Sequence, residues 1–134
     1  MIYLDSSALV KLVRHEPGTV ELVAWLAQRQ PTALVSSALV EVEVPRGLRR
    51  HAAGALIGVP AVLARLYRLE IDATVRATAA AYEDSSLRSL DAIHLASAQI
   101  AQGGHGGLEA FVAYDERLLA SAASLGFPVA SPGR

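Results

Sequence analysis

Four hydrophobic elements of this chain each carry a carboxylate at one end. Ile2-Tyr3-Leu4 runs into Asp5, and Phe111-Val112-Ala113-Tyr114 runs into Asp115. Val40-Glu41-Val42 leads to Glu43, and Asp91 opens the apolar stretch that begins Ala92-Ile93. A carboxylate at the end of a core element is costly to bury alone. Several of them converging make physical sense when a divalent cation neutralises them. The pattern therefore asks for a fold that gathers these ends at one spot, with magnesium for phosphate chemistry there.

Short apolar runs alternate with helical patterns along the chain. Strands are expected at Met1 to Leu4, Thr32 to Val35, Arg68 to Ile71, Ala110 to Tyr114, and, at an edge, Phe127 to Val129. Between them, helices are expected from Ala8 to Val13, in a second segment with Pro17 in its first turn, and from the possible caps Ser36 and Ser37 to about His51. Further helices are expected at Pro60 to Leu66, Ala73 to Tyr82, Leu90 to Gln102 and Leu118 to Leu125, with Gly103 to Gly107 as a flexible loop. Pro45 lies within the Glu43 helix and predicts a kink there, not two separate elements. Alternation of this kind implies an α/β fold, a three-layer α/β/α sandwich around a mainly parallel sheet. Ligands of such sheets bind beyond the carboxyl ends of strands, where Asp5 and Asp115 fall.

Composition narrows the function. The 134 residues suit one domain, 52% of them are hydrophobic, and the net charge of −1 removes a whole-protein basic field as a basis for nucleic-acid binding. Any RNA contact must come from a local basic patch and a metal. Cysteine is absent, which excludes disulfides, thiolate metal sites and cysteine nucleophiles. No secretory signal or membrane span is legible, so the expected location is the cytoplasm, with no membrane partner.

Each acid also has an ordinary use. Asp5 and Asp115 can cap the helices that follow them, and Asp91 suits the dipole of a first turn. Glu41 and Glu43 point about 200° apart on a helix, so only one faces the crevice, and spacing alone leaves the choice open. Arg46, Arg49 and Arg50 form a basic stripe, read as a solvated face or as a rail for a phosphate backbone. His94 reads as a packed, hydrogen-bonded histidine, since magnesium prefers oxygen ligands.

Leu4-Asp5-Ser6-Ser7-Ala8-Leu9 resembles the opening motif of PIN-domain nucleases. Ser37 through Glu43 to Arg46 resembles their second motif, Leu90-Asp91-Ala92-Ile93-His94-Leu95-Ala96 the third, and Phe111 to Leu118 the fourth. Order, spacing and length resemble the VapC toxins of bacterial toxin–antitoxin pairs. The resemblance favours Glu43 over Glu41. It implies that Asp5, Glu43, Asp91 and Asp115 hold magnesium, with manganese able to substitute, beside the hydroxyl of Ser7. It implies an endoribonuclease toxin, a VapB-type antitoxin, a homodimer, and RNA or antitoxin contact at Arg46, Arg49 and Arg50. Four carboxylates without their cation also imply a raised pKa for at least one. A catalytically silent PIN-like scaffold for RNA or protein is the alternative. Other magnesium folds fit less well: Ser7 stands where a dehalogenase-type phosphatase needs aspartate, and the only lysine is Lys11, too early for a receiver domain.

Overall fold

The computed structural model describes residues 1–104 and 107–134. Five strands, β1 (Ile2–Leu4), β2 (Leu34–Ser37), β3 (Leu66–Leu69), β4 (Ala110–Val112) and β5 (Val129–Ala130), form one sheet in the order β3-β2-β1-β4-β5. Every pairing is parallel. The helices are α1 (Ser6–Val13), α2 (Thr19–Ala27), α3 (Val40–His51), α4 (Val59–Leu63), α5 (Ala73–Ala80), α6 (Ser89–Gly104) and α7 (Glu116–Ser124), with a 3-10 helix at Ala53–Gly58.

The two core strands are buried throughout, as strands covered on both faces must be. Alternation splits β1 between two cores. Ile2 and Leu4 pack with Leu9, Leu22, Val44 and Leu48, the α1–α4 layer. Tyr3 turns to the other face, with Leu95 and Ala98 of α6 and Leu118 and Ala122 of α7. There Tyr3 stacks on Phe111 at 5.1 Å, and Phe111 on Phe127 at 6.0 Å. Each buried side chain of this size removes enough apolar area to contribute about 1.5–3 kcal/mol. The three-layer sandwich follows from that division.

Chain order sets the site. The sheet grows outward from β1 through β2 to β3, then restarts on the other side of β1 with β4. The switch point is the crevice between β1 and β4, at their carboxyl ends. Leu4 pairs with Val112, and the Asp5 amide donates to the Val112 carbonyl at 3.1 Å. Asp5 and Asp115 thus flank the reversal.

Several expected boundaries move. Strand β2 starts and ends two residues later than expected, so Ser36 and Ser37 belong to the strand. Ser36 Oγ donates across to the Leu4 carbonyl at 2.6 Å, while Ser37 Oγ accepts from the Leu39 amide at 3.1 Å in the turn that leads to α3. Strand β3 comes earlier than expected because Leu66 pairs with Leu34. Pro17 precedes α2 instead of opening it, and Gly18 makes the entry turn with φ 95°. As expected, Pro45 does not divide α3 into two elements. Gly103 and Gly104 extend α6, although a loop was expected from Gly103; the remainder of that expected loop includes His105 and Gly106, outside the described residues. Among the described residues, no helix is long and apolar enough to cross a membrane.

Candidate functional site

Asp5 is the most constrained acid. It is buried at the end of β1, with 4% of its surface exposed. Its Oδ1 accepts from the Ala8 amide at 3.0 Å, capping α1, and from the Ser7 hydroxyl at 2.6 Å. Burial pushes its carboxyl above the ordinary range. The opposing influences of His94, the Ser7 hydroxyl and the Ala8 amide do not offset this, and nearby Glu43 adds to the rise. Oδ2 has no protein partner among the described residues, yet no fully buried side-chain oxygen is left unpaired there. That oxygen is therefore not completely sealed from solvent.

Asp115 repeats the arrangement across the switch point. Its Oδ1 accepts from the Leu118 amide at 3.0 Å and caps α7. Its Oδ2 lies 3.7 Å from Arg88 Nη2. The same guanidinium, through Nε, donates to Asp91 Oδ2 at 3.1 Å. One arginine thus ties Asp91, in the first turn of α6, to Asp115 at the head of α7. Such a cation relieves the repulsion that two neighbouring carboxylates would otherwise feel.

Glu43 is held from the other side. His94, buried on α6 with 1% exposure, brings Nε2 to 2.6 Å from Glu43 Oε1. Its Nδ1 meets the Tyr3 hydroxyl at 2.8 Å. Glu41 turns outward and pairs with Arg68 at 3.4 Å. Of the two glutamates it is Glu43 that turns toward His94 and the end of β1.

Asp5 thus lies near enough to Glu43 to feel its charge, and Asp91 and Asp115 share one arginine. Among the described residues, no three His, Asp or Glu side chains close into a metal-holding group. The donor set still fits magnesium, which takes one or two carboxylates and completes its shell with water. Arg46, Arg49 and Arg50 lie exposed along α3, and none joins an ion pair among the described residues. A groove of about 360 Å³ between α5 and α6 is lined by none of the four acids.

Sequence reasoning missed two residues that organise the site. Arg88 carried a signal in its spacing, three residues before Asp91, the distance at which helical side chains meet. Tyr3 carried none, because a buried aromatic in a core strand reads as packing alone.

A family description, the PIN domain, matches residues 2–125. Ribonuclease VapC35 of Mycobacterium tuberculosis is 52% identical over 134 residues, covering 100% of this chain and 98% of that protein. Ribonuclease VapC47 of the same species is 42% identical, covering 99% and 98%. Among solved structures, M. tuberculosis VapC20, described as a Sarcin-Ricin loop cleaving toxin, superposes with TM-score 0.74 at 17% identity, covering 98% of this chain and all of that one. A toxin–antitoxin complex from Klebsiella pneumoniae gives 0.70 at 19% identity, covering 98% of each. At such identities the structural likeness speaks for the fold alone.

Proposed function

The chain belongs to the PIN-domain family, and from that premise we propose that it is a metal-dependent endoribonuclease, the toxin of a toxin–antitoxin pair. The observation that carries this reading is Asp5. A carboxyl buried at a sheet switch point and driven upward by that burial is a standing cost unless a cation is to be met there. Relatives named as ribonucleases, matched along nearly the whole chain, support RNA as the substrate.

In this reading the chain acts as a single PIN domain. Asp5, Glu43, Asp91 and Asp115 hold magnesium, which manganese can replace. When bound, the cation supplies charge neutralisation and Lewis acidity toward a water and the scissile phosphate. The residues supply the rest. Asp5 and Asp115 each commit one oxygen to a helix cap, so their remaining oxygens are fixed by the backbone. Ser7 orients Asp5. Arg88 holds Asp91 and Asp115 in register when no cation is present. Arg46, Arg49 and Arg50 offer sequence-independent contacts to a phosphate backbone or to an acidic partner segment. A VapB-type antitoxin that inhibits the toxin, a homodimer and a cytoplasmic location belong to the same proposal.

The second reading is a silent scaffold for RNA or protein. One observation favours it, the lack of a closed three-acid group among the described residues. Induced expression in a bacterial host separates the two. The nuclease reading expects growth arrest that Asp91→Asn abolishes and a co-expressed antitoxin relieves. Equal arrest by the folded Asp91→Asn protein favours the scaffold.

A further inference from the structure

We propose that Tyr3 and His94 form a buried relay that aims Glu43, making His94 a positioning residue of the acidic site. The proposal deepens the metal-site reading and rests on it. Its basis is one continuous line of side chains from the centre of the sheet to the crevice. Tyr3 is fully buried on the α6 side of β1, its hydroxyl 2.8 Å from His94 Nδ1. His94 Nε2 is 2.6 Å from Glu43 Oε1.

The proton positions follow from the partners. The Tyr3 phenol is fully buried and keeps a hydroxyl that can donate or accept. With neutral imidazole, that O–H donates to Nδ1, and Nε2 carries the hydrogen it gives to Glu43. With imidazolium, Nδ1–H donates to the Tyr3 oxygen and Nε2–H still donates to Glu43. In both states the nitrogen facing the carboxylate is a donor. The hydroxyl, able to donate or accept, is what permits both.

The relay has no competitor among the described residues. It supplies the only hydrogen bond to the Glu43 side chain among the described residues. Glutamate is long and loses much rotamer freedom when fixed. A partner that fixes it before the cation arrives removes that cost from binding, and partners of this kind tune ligand basicity as well as aim. His94 also stands three residues after Asp91 on α6. One helix face thus supplies one acid directly and positions a second across the crevice.

Manganese affinity, measured on the full chain by calorimetry or electron paramagnetic resonance, tests the relay. His94→Leu removes the donor and keeps the bulk. It is expected to weaken manganese binding roughly 10- to 100-fold, the usual range for lost outer partners. His94→Gln returns an N–H near the Nε2 position and is expected to recover most of the loss. Tyr3→Phe keeps the stack on Phe111 and is expected to cost less than His94→Leu. In a Glu43→Gln background, His94→Leu should cost nothing further, since nothing remains to aim. A merely structural histidine would weaken binding equally in both backgrounds.

The imidazole nitrogen resonances give a readout independent of metal, and they should show hydrogen on Nε2 of His94. Wild-type affinity in a folded His94→Leu protein overturns the proposal, as does a spectrum with hydrogen on Nδ1 alone. If His94→Leu does not fold, unchanged affinity in Tyr3→Phe overturns it. If the wild type binds no manganese, the metal reading fails, and the resonances still decide whether the relay exists.

Discussion

Arg88 Nε stands 3.1 Å from Asp91 Oδ2, and the same guanidinium reaches Asp115 at 3.7 Å. The chain thus brings its own cation to two of the acids assigned to magnesium. Arg88 is 67% exposed, so water and salt screen these contacts, and exposed pairs of this kind contribute about 0.2–1 kcal/mol. Removing the competitor by Arg88→Gln should tighten manganese binding by roughly 1.5- to 5-fold, the same energy expressed as an equilibrium constant. The effect should shrink as salt rises. A titration at two ionic strengths checks it, and weaker binding in Arg88→Gln would mean that the arginine orders the acids without competing for them.

Asp5 makes a prediction with a definite sign. Its folded carboxyl is raised above the ordinary 3.8 by burial, so the folded protein holds that proton more tightly than the unfolded chain. Below 3.8 the group is neutral in both states and costs nothing. As pH rises through the raised folded value, the metal-free protein loses stability relative to a neutral isostere. Asp5→Asn keeps the α1 cap, since asparagine caps as well as aspartate. It should raise metal-free stability near neutral pH by roughly 0.5–2 kcal/mol, with the gain vanishing in acid. Thermal melts across pH decide the point.

Glu43 and Glu41 should part company on substitution. Glu43→Gln removes a carboxylate from the crevice and should reduce RNA cleavage by at least about 10-fold. Glu41→Gln removes only an exposed pair with Arg68 and should leave cleavage unchanged and stability within about 0.5 kcal/mol. Equal losses in the two variants would contradict the assignment.

Pro45 carries a cost with no visible return. It stands inside an unbroken α3, where proline forfeits a hydrogen bond and crowds the preceding turn. Pro45→Ala should stabilise the fold by roughly 1–3 kcal/mol in a denaturant melt. Manganese affinity should stay the same, because His94, and not helix curvature, aims Glu43. A loss of affinity would show that the proline shapes the site.

The sandwich and the placement of Asp5 and Asp115 were legible because both depend on local pattern, an apolar run that stops at an acid. Strand edges were less so: Ser36 and Ser37 looked like caps, and only the pairing with β1 and β3 draws them into β2. The capping and cation-binding readings of Asp5 and Asp115 looked like rivals in the sequence. In the structure each cap uses Oδ1 alone, so capping leaves Oδ2 free of that role and does not exclude the proposed one. The Tyr3–His94–Glu43 line was not legible, because its members lie 91 and 51 residues apart and no local pattern joins them.

Metal-dependent cleavage of RNA by these acids is the proposed activity. It is tested most directly by incubating purified, antitoxin-free protein with total bacterial RNA, with magnesium or with EDTA, beside Asp91→Asn. Discrete fragments that require the metal and are absent with the variant are expected. Cleavage that persists in EDTA, or in folded Asp91→Asn, would contradict it, as would intact RNA with a folded wild-type protein.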